Sequence, residues 1–309
     1  MAMTLSQLRT FLAVADAGSV RVATESLLVS QPAVSAAIAS LERELGVALV
    51  ARHGRGLRLT TAGTAFADDV RTSLGLLDQG SRRARSIEDP ARGTVRLVAV
   101  ATAAERVLLP AVARFREQHP EAGVTIQVGN RTTVWETLRH YDADLVVAGR
   151  PPGAVPGDTL ACGKNRLVVI GPASATPRAH GAHAVHDPAR ETWLLREPGS
   201  GTRVAADALL AELGIDPPTM ILGSNAAIKR GVEMGLGVGL ISLDDAADRI
   251  SQGSVTVWAC PGTPIDRPWH LVCHSGEPLG PTALALARSM VGPGGSLKAT
   301  AEGRRILRS

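Results

Sequence analysis

The stretch Ser19–Gly63, SVRVATESLLVSQPAVSAAIASLERELGVALVARHGRGLRLTTAG, admits few folds. Ser19 is placed to N-cap a helix running to about Leu27. Ser30 is placed to cap the next, with Pro32 in its first turn, where a missing N–H costs nothing. On that second helix Val34, Ile38, Leu41 and Leu45 fall at i, i+4, i+7 and i+11, one apolar stripe at helical period. Gln31, Ser35, Ala36 and Ala39 take the opposite face, and Gly46 is a C-cap glycine. A helix with one buried stripe and a small, polar face near its N-terminus suits a DNA major groove.

Arg52, His53, Arg55 and Arg58 follow within seven residues, with Gly54 and Gly56 to turn the chain. Apolar pieces, Leu49-Val50 and Leu57 with Leu59, flank them. The pattern predicts a two-stranded wing with arginines at its tip, suited to phosphates and a narrow minor groove. Taken alone it is equally an exposed hairpin with solvated charges. The neighbouring helix-turn-helix favours the DNA reading.

The segments SQPAVSAAIASLERELG, the basic wing and LTTAG resemble the N-terminal domain of the LysR-type transcriptional regulators. The resemblance implies double-stranded DNA as a partner. It implies DNA contacts from Ser30, Gln31, Pro32, Ser35, Ala36, Arg52, Arg55 and Arg58. Family members often carry Arg or Gln where this chain has Ala36 and Ala37, so Gln31, Ser35 and groove shape must carry more of the specificity.

Composition sets broad limits. Of 309 residues, 45% are hydrophobic and 20% charged, enough for two or three globular domains. The net charge of +4 permits nucleic-acid binding without proving it. Cys162, Cys260 and Cys273 are odd in number and widely spaced, which indicates neither a disulfide framework nor a zinc site. There is no secretory leader pattern and no apolar run long enough for a membrane span, so a cytoplasmic protein with no membrane partner is expected.

In chain order, residues 1–60 are expected to form the winged helix-turn-helix domain. Thr4 and Gln7 suit a capping box on its first helix. Residues 61–92 read as a long polar-faced helix and hinge. Its narrow seam, Phe66, Val70, Leu74 and Leu77, suits a second copy of itself; the alternative is a helix lying on its own domain. The resemblance implies the dimerisation role. The linker RSIEDPARG, residues 85–93, is expected in solvent. Residues 93–295 alternate strands and helices, an α/β pattern that predicts a parallel sheet with covering helices. Their order is that of a two-lobed, periplasmic-binding-protein-like domain. Lobe I covers about 93–162 and 266–295, and lobe II about 163–265. The crossovers fall near Cys162–Asn165 and Gly262–Arg267. Residues 296–309 read as a flexible basic tail, with Arg304, Arg305 and Arg308 as alternative DNA contacts.

No nucleophile or acid–base motif suggests an enzyme. His180, His183 and His186 have spacing for a metal but no carboxylate shell, so no metal or cofactor is expected. Gly235, Gly237 and Gly239 follow a helix and precede a strand, the wrong order for a dinucleotide fingerprint and the right one for a packed αβ turn. The ends of the predicted strands are more informative. Thr102 and Ala103; Asn130, Arg131 and Thr132; Arg150; Gly199, Ser200, Gly201, Thr202 and Arg203; and Ser224 with Asn225 each open a loop or helix. Open α/β sheets bind ligands at that edge. Helix-start N–H groups, hydroxyls and arginines there suit an anion. The other reading of Ser200 and Thr202 is that they cap a helix.

The segments GNR, AGRPP and REPGSGTR resemble most the LysR-type branch that controls Calvin-cycle carbon-fixation operons. That resemblance implies a phosphorylated metabolite or NADPH as effector, a homodimer or homotetramer, and RNA polymerase as a partner. Two alternatives stay open. One is a branch regulating aromatic or amino-acid metabolism with a carboxylate effector. The other is a two-lobed enzyme or solute-binding protein with an accessory helix-turn-helix.

Overall fold

The computed structural model describes residues 3–308 apart from 54–55, 90, 174–178, 181–182 and 185–186. The chain divides into two compact units, residues 1–81 with 140–142, and residues 82–139 with 143–309.

The first unit is a winged helix-turn-helix. Helix α1 (Leu5–Ala17) opens on a capping box: Gln7 N–H donates to Thr4 Oγ1 at 3.2 Å and Thr4 N–H to Gln7 Oε1 at 2.8 Å. Helices α2 (Val20–Leu27) and α3 (Gln31–Leu45) meet at 110°, the angle of a helix-turn-helix. Leu28 makes the turn in the left-handed region, φ 55°. Ser19 and Ser30 hold the two N-cap positions, but neither side chain caps its helix. The stripe on α3 turns inward: Leu41 packs with Phe11, and Val34 and Ile38 with Val14 and Ala23. Strands β1 (Val50–His53) and β2 (Gly56–Leu59) pair antiparallel as the wing. Glu42 ties α3 to it, because its Oε1 accepts from Leu49 N–H (2.8 Å) and Val50 N–H (3.2 Å).

Helix α4 (Thr61–Glu88) follows, with Thr60 Oγ1 accepting from Gly63 N–H at 2.9 Å. The expected dimer seam is corrected here. Phe66 packs on Phe11, ring centroids 5.4 Å apart, and Val70 is 3% exposed. The single chain therefore already covers those two positions, while Leu74 is half-buried. Leu77 stays 53% exposed, and Leu76 beside it is exposed too. The last turns of α4 belong to the second unit. Arg82 pairs with Asp144 (3.3 Å) and Ser86 Oγ lies 2.7 Å from Thr282 Oγ1, both residues of α4 being buried. The linker's start is thus packed rather than solvated, because Ser86 finds a buried polar partner in Thr282.

The second unit has two lobes. In the first, β3 (Thr94–Ala99) leads through α5 (Ala101–Ala103) and a π-helical turn (Ala104–Leu108) into α6 (Leu109–Gln118). Then come β4 (Gly123–Val128), α7 (Arg131–Arg139), β5 (Leu145–Ala148) and β6 (Gly157–Gly163). The chain crosses to the second lobe at β7 (Arg166–Pro172), β8 (Ala179–His180), β9 (His183–Ala184) and β10 (Trp193–Leu195). That lobe continues with α8 (Gly201–Leu213), β11 (Thr219–Ile221), α9 (Asn225–Glu233) and β12 (Gly239–Ser242). Helix α10 (Leu243–Ser251), β13 (Val255–Trp258) and β14 (Ile265–Asp266) complete it. The chain returns through β15 (Trp269–His274), α11 (Pro281–Val291), β16 (Lys298–Ala299) and α12 (Ala301–Ile306).

The first lobe's sheet has the order β16-β6-β15-β5-β3-β4. Only β3 with β4 and β5 is parallel; β15 and β16 return antiparallel. In the second lobe β7 is central, with β12 and β13 antiparallel to it. Asn165 and Arg267 are where the two crossings lie side by side. Arg267 N–H donates to Asn165 O, and Asn165 Nδ2 donates to Arg267 O, both at 2.8 Å.

The expected flexible tail, residues 296–309, is corrected. Leu297 and Leu307 are buried, β16 pairs with β6, and Thr300 Oγ1 caps α12 at Gly303 N–H (2.8 Å) while donating to Thr159 O (2.6 Å). Two apolar anchors and a free strand edge hold a segment whose composition reads as loose. The glycines 235, 237 and 239 form an αβ turn, as their order implies. Gly237 has φ 152°, and a Cβ there would lie 2.0 Å from Thr192 O.

Candidate effector cleft and nucleic-acid interface

The polar face of α3 and the wing share one surface. Ser30, Gln31, Pro32, Ser35 and Ala36 are exposed, as are Arg52, His53 and Arg58. Gln31, Ser35, Ala39 and Arg52 line one concave region between α3 and the wing, with Arg21 and Glu42 beside them. Arg55 lies outside the described residues.

The cleft between the lobes of the second unit is lined by the C-terminal ends of β3, β4 and β5 and by the starts of α8 and α9. Its free volume is about 50 Å³. Thr102, Asn130, Arg131, Ser200, Gly201, Thr202 and Asn225 all line it. Ser200 is the N-cap residue of α8 and lines the cleft, and its side chain makes no capping bond. Asn130 Oδ1 accepts from Thr133 N–H at 3.0 Å and so shapes the start of α7.

Six expected residues fall off the cleft lining. Ala103 is one position past Thr102 on the helix and turns into the apolar core. Arg203 is held by Asp207 (2.8 Å) and donates to Arg196 O. Ser224 is spent capping α9 at Ala227 N–H (3.1 Å). Gly199, φ 85°, forms the turn before α8. Thr132 and Arg150 are exposed, Arg150 lying near His270.

Sequence reasoning missed Arg267, Asn165 and Ser242 as lining residues, and included Arg196 only as the start of the segment REPGSGTR. Arg267 sits on a crossing segment, not after a strand, so a search of strand ends passes over it. The crossing itself was the available signal, because it runs along the cleft floor. Arg267 Nη1 donates to Gly201 O. A Cβ at Gly201 would lie 2.9 Å from Arg267 Nη2, so glycine is what lets the guanidinium lie over the start of α8. Burial, and then the charge of Arg131, pull the Arg267 guanidinium below its ordinary pKa. Among the described residues no carboxylate lines the cleft, and Arg131 makes no side-chain hydrogen bond or ion pair. Arg196 is satisfied instead by Glu197, through Nε (2.7 Å) and Nη2 (2.9 Å).

Among the described residues no group of His, Cys, Asp and Glu could hold a metal. His186 and the side chains of His180 and His183 lie outside what is described. No single described helix is long and apolar enough to cross a membrane.

A DNA-reading helix with a wing, joined to a two-lobed domain with a cationic cleft, defines a ligand-responsive transcription factor. Residues 5–64 match the family described as "Bacterial regulatory helix-turn-helix protein, lysR family", and residues 88–292 match "LysR substrate binding domain". The chain belongs to the LysR family of transcriptional regulators and is a DNA-binding member with an effector-binding domain. It is similar to the "HTH-type transcriptional regulator CbbR" of Xanthobacter flavus, at 32% identity over 92% of this chain and 86% of the relative. It is also similar to the "RuBisCO operon transcriptional regulator" of Allochromatium vinosum, at 34% identity over 92% and 94%. Its likeness is thus to the branch that controls carbon-fixation operons. Among solved structures it matches the CcmR regulatory domain of Synechocystis PCC6803 in complex with 2-PG, with TM-score 0.55 and 25% identity over 60% of this chain and 89% of that one.

Proposed function

We propose that this regulator senses a small phosphorylated acid held between its lobes, and that the bound anion alters promoter binding. Arg131 and Arg267 carry the reading. Two neighbouring guanidiniums face one cleft with no acidic partner among the described residues, and burial with the charge of the other holds Arg267 below its ordinary pKa. Such a pair repels itself until an anion arrives. A guanidinium can meet two phosphate oxygens at once. Thr102, Ser200 and Thr202 add hydroxyls, and α8 directs its first N–H groups to the same place. A free volume of about 50 Å³ suits a compact anion. The 2-PG bound to the CcmR domain has the same chemistry.

Calorimetric titration with 2-phosphoglycolate, 3-phosphoglycerate, inorganic phosphate and citrate tests this. A phosphorylated acid should bind the wild type and lose about tenfold or more in affinity in both Arg131→Ala and Arg267→Ala. Equal binding to all three proteins would put the site elsewhere.

The same reading gives a non-enzymatic, cytoplasmic protein that acts on promoters together with RNA polymerase. It makes the protein an oligomer through α4, where Leu76 and Leu77 are exposed apolar residues on a polar helix.

A further inference from the structure

Asn225 lines the cleft, but its amide is already committed. Its Nδ2 donates both to Thr102 Oγ1 (3.0 Å) and to Asp245 Oδ2 (2.7 Å). Its Oδ1 accepts from Arg196 Nη1. An amide nitrogen has two protons to give, and both are used. Nor can the amide turn over. Flipped, its NH2 would face the Arg196 guanidinium, and its oxygen would face the Asp245 carboxylate. Asp245 is itself fixed: it is 4% exposed, and Lys229 Nζ donates to its Oδ1 at 2.6 Å and to its backbone oxygen at 3.0 Å.

The consequence falls on Thr102, in the opposite lobe. It is 6% exposed, and its hydroxyl oxygen accepts from Asn225. Its proton finds no acceptor among the described residues. A buried hydroxyl seldom leaves its donor unused. The acceptor left to it is whatever fills the cleft that Thr102 lines: water in the free protein, an effector atom in the complex.

We propose that Asn225 is a positioning residue that does not touch the effector: held between Arg196 and Asp245, it fixes the Thr102 hydroxyl as a donor into the cleft. The site then selects, at that position, a ligand atom that only accepts, such as an ionised phosphate or carboxylate oxygen. A hydroxyl donor there is refused. Because Asn225 and Thr102 belong to different lobes, the polarity is set only when the lobes are closed. This inference rests on the anionic-effector reading above and specifies it.

The experiment is a double-mutant cycle on the full-length protein, read by calorimetry with 2-phosphoglycolate, 3-phosphoglycerate, inorganic phosphate and citrate. Thermal unfolding without ligand checks that each variant folds. Thr102→Val and Asn225→Ala should each weaken binding of the preferred anion about tenfold, as loss of a hydrogen bond to a charged group does. Thr102→Ser should restore it. The double variant should be no weaker than Thr102→Val alone, because Asn225 acts through Thr102. Losses that multiply, to about a hundredfold in the double variant, would make Asn225 an independent contact and overturn this inference alone. So would unchanged affinity in Asn225→Ala beside a loss in Thr102→Val. Binding of none of the four anions to the wild type would overturn the anionic-effector reading, and this inference with it.

Discussion

Arg52 and Arg58 project from the wing with no hydrogen-bonding or ionic partner among the described residues, while the nearby Glu42 is engaged with backbone N–H groups. Free guanidiniums beside the exposed face of α3 are what phosphate binding requires. Arg58→Ala should make the log–log salt dependence of DNA binding shallower by about one unit, since each lost phosphate contact removes about one released counterion. A salt titration matching the wild type would take Arg58 off the DNA. At this scale the sequence was informative wherever a side chain's role follows from its local position. The capping pair Thr4 and Gln7 is one case. Thr102 and Arg131 are others, reached by asking what stands at the end of a strand. The sequence placed Arg267 on a crossing segment but not in the cleft, which it enters from there. It placed Asn225 on the cleft but was silent about its partners Arg196 and Asp245, which lie 29 and 20 residues away.

Periodicity alone does not say which neighbour a helix face meets, and α4 shows this. Its seam was visible in the spacing of Phe66, Val70 and Leu74. What covers it was not, since Phe11 comes from α1 and competes for the same face. The exposed pair Leu76 and Leu77 is the apolar surface left on α4 for the proposed oligomer contact. Replacing both by Glu should give a folded species of half the wild-type mass in sedimentation, because like charges would be buried across the seam. An unchanged assembly would place the contact elsewhere. The last residues teach the opposite lesson. Gly, Lys and Arg in 292–305 read as loose, but Leu297 and Leu307 anchor them and the edge of β6 supplies a partner strand. A two-residue strand carries too little pattern to be read without knowing that edge.

For the whole molecule, the two-lobed plan was legible because strands and helices alternate at regular length. The antiparallel course around β7 was not, because parallel and antiparallel pairing leave similar apolar runs in short buried strands. Coupling between effector and DNA is a property at this scale. If the anion changes the affinity for DNA, DNA must change the affinity for the anion by the same factor. The most direct test is fluorescence anisotropy of the full-length protein on the DNA upstream of its own gene, with and without saturating 2-phosphoglycolate. Wild type should show a ligand-dependent change in affinity or in bend, and Arg267→Ala should bind the DNA but lose that response. A wild type whose DNA binding and bending ignore the ligand, or an Arg267→Ala variant that still responds in full, would contradict the account.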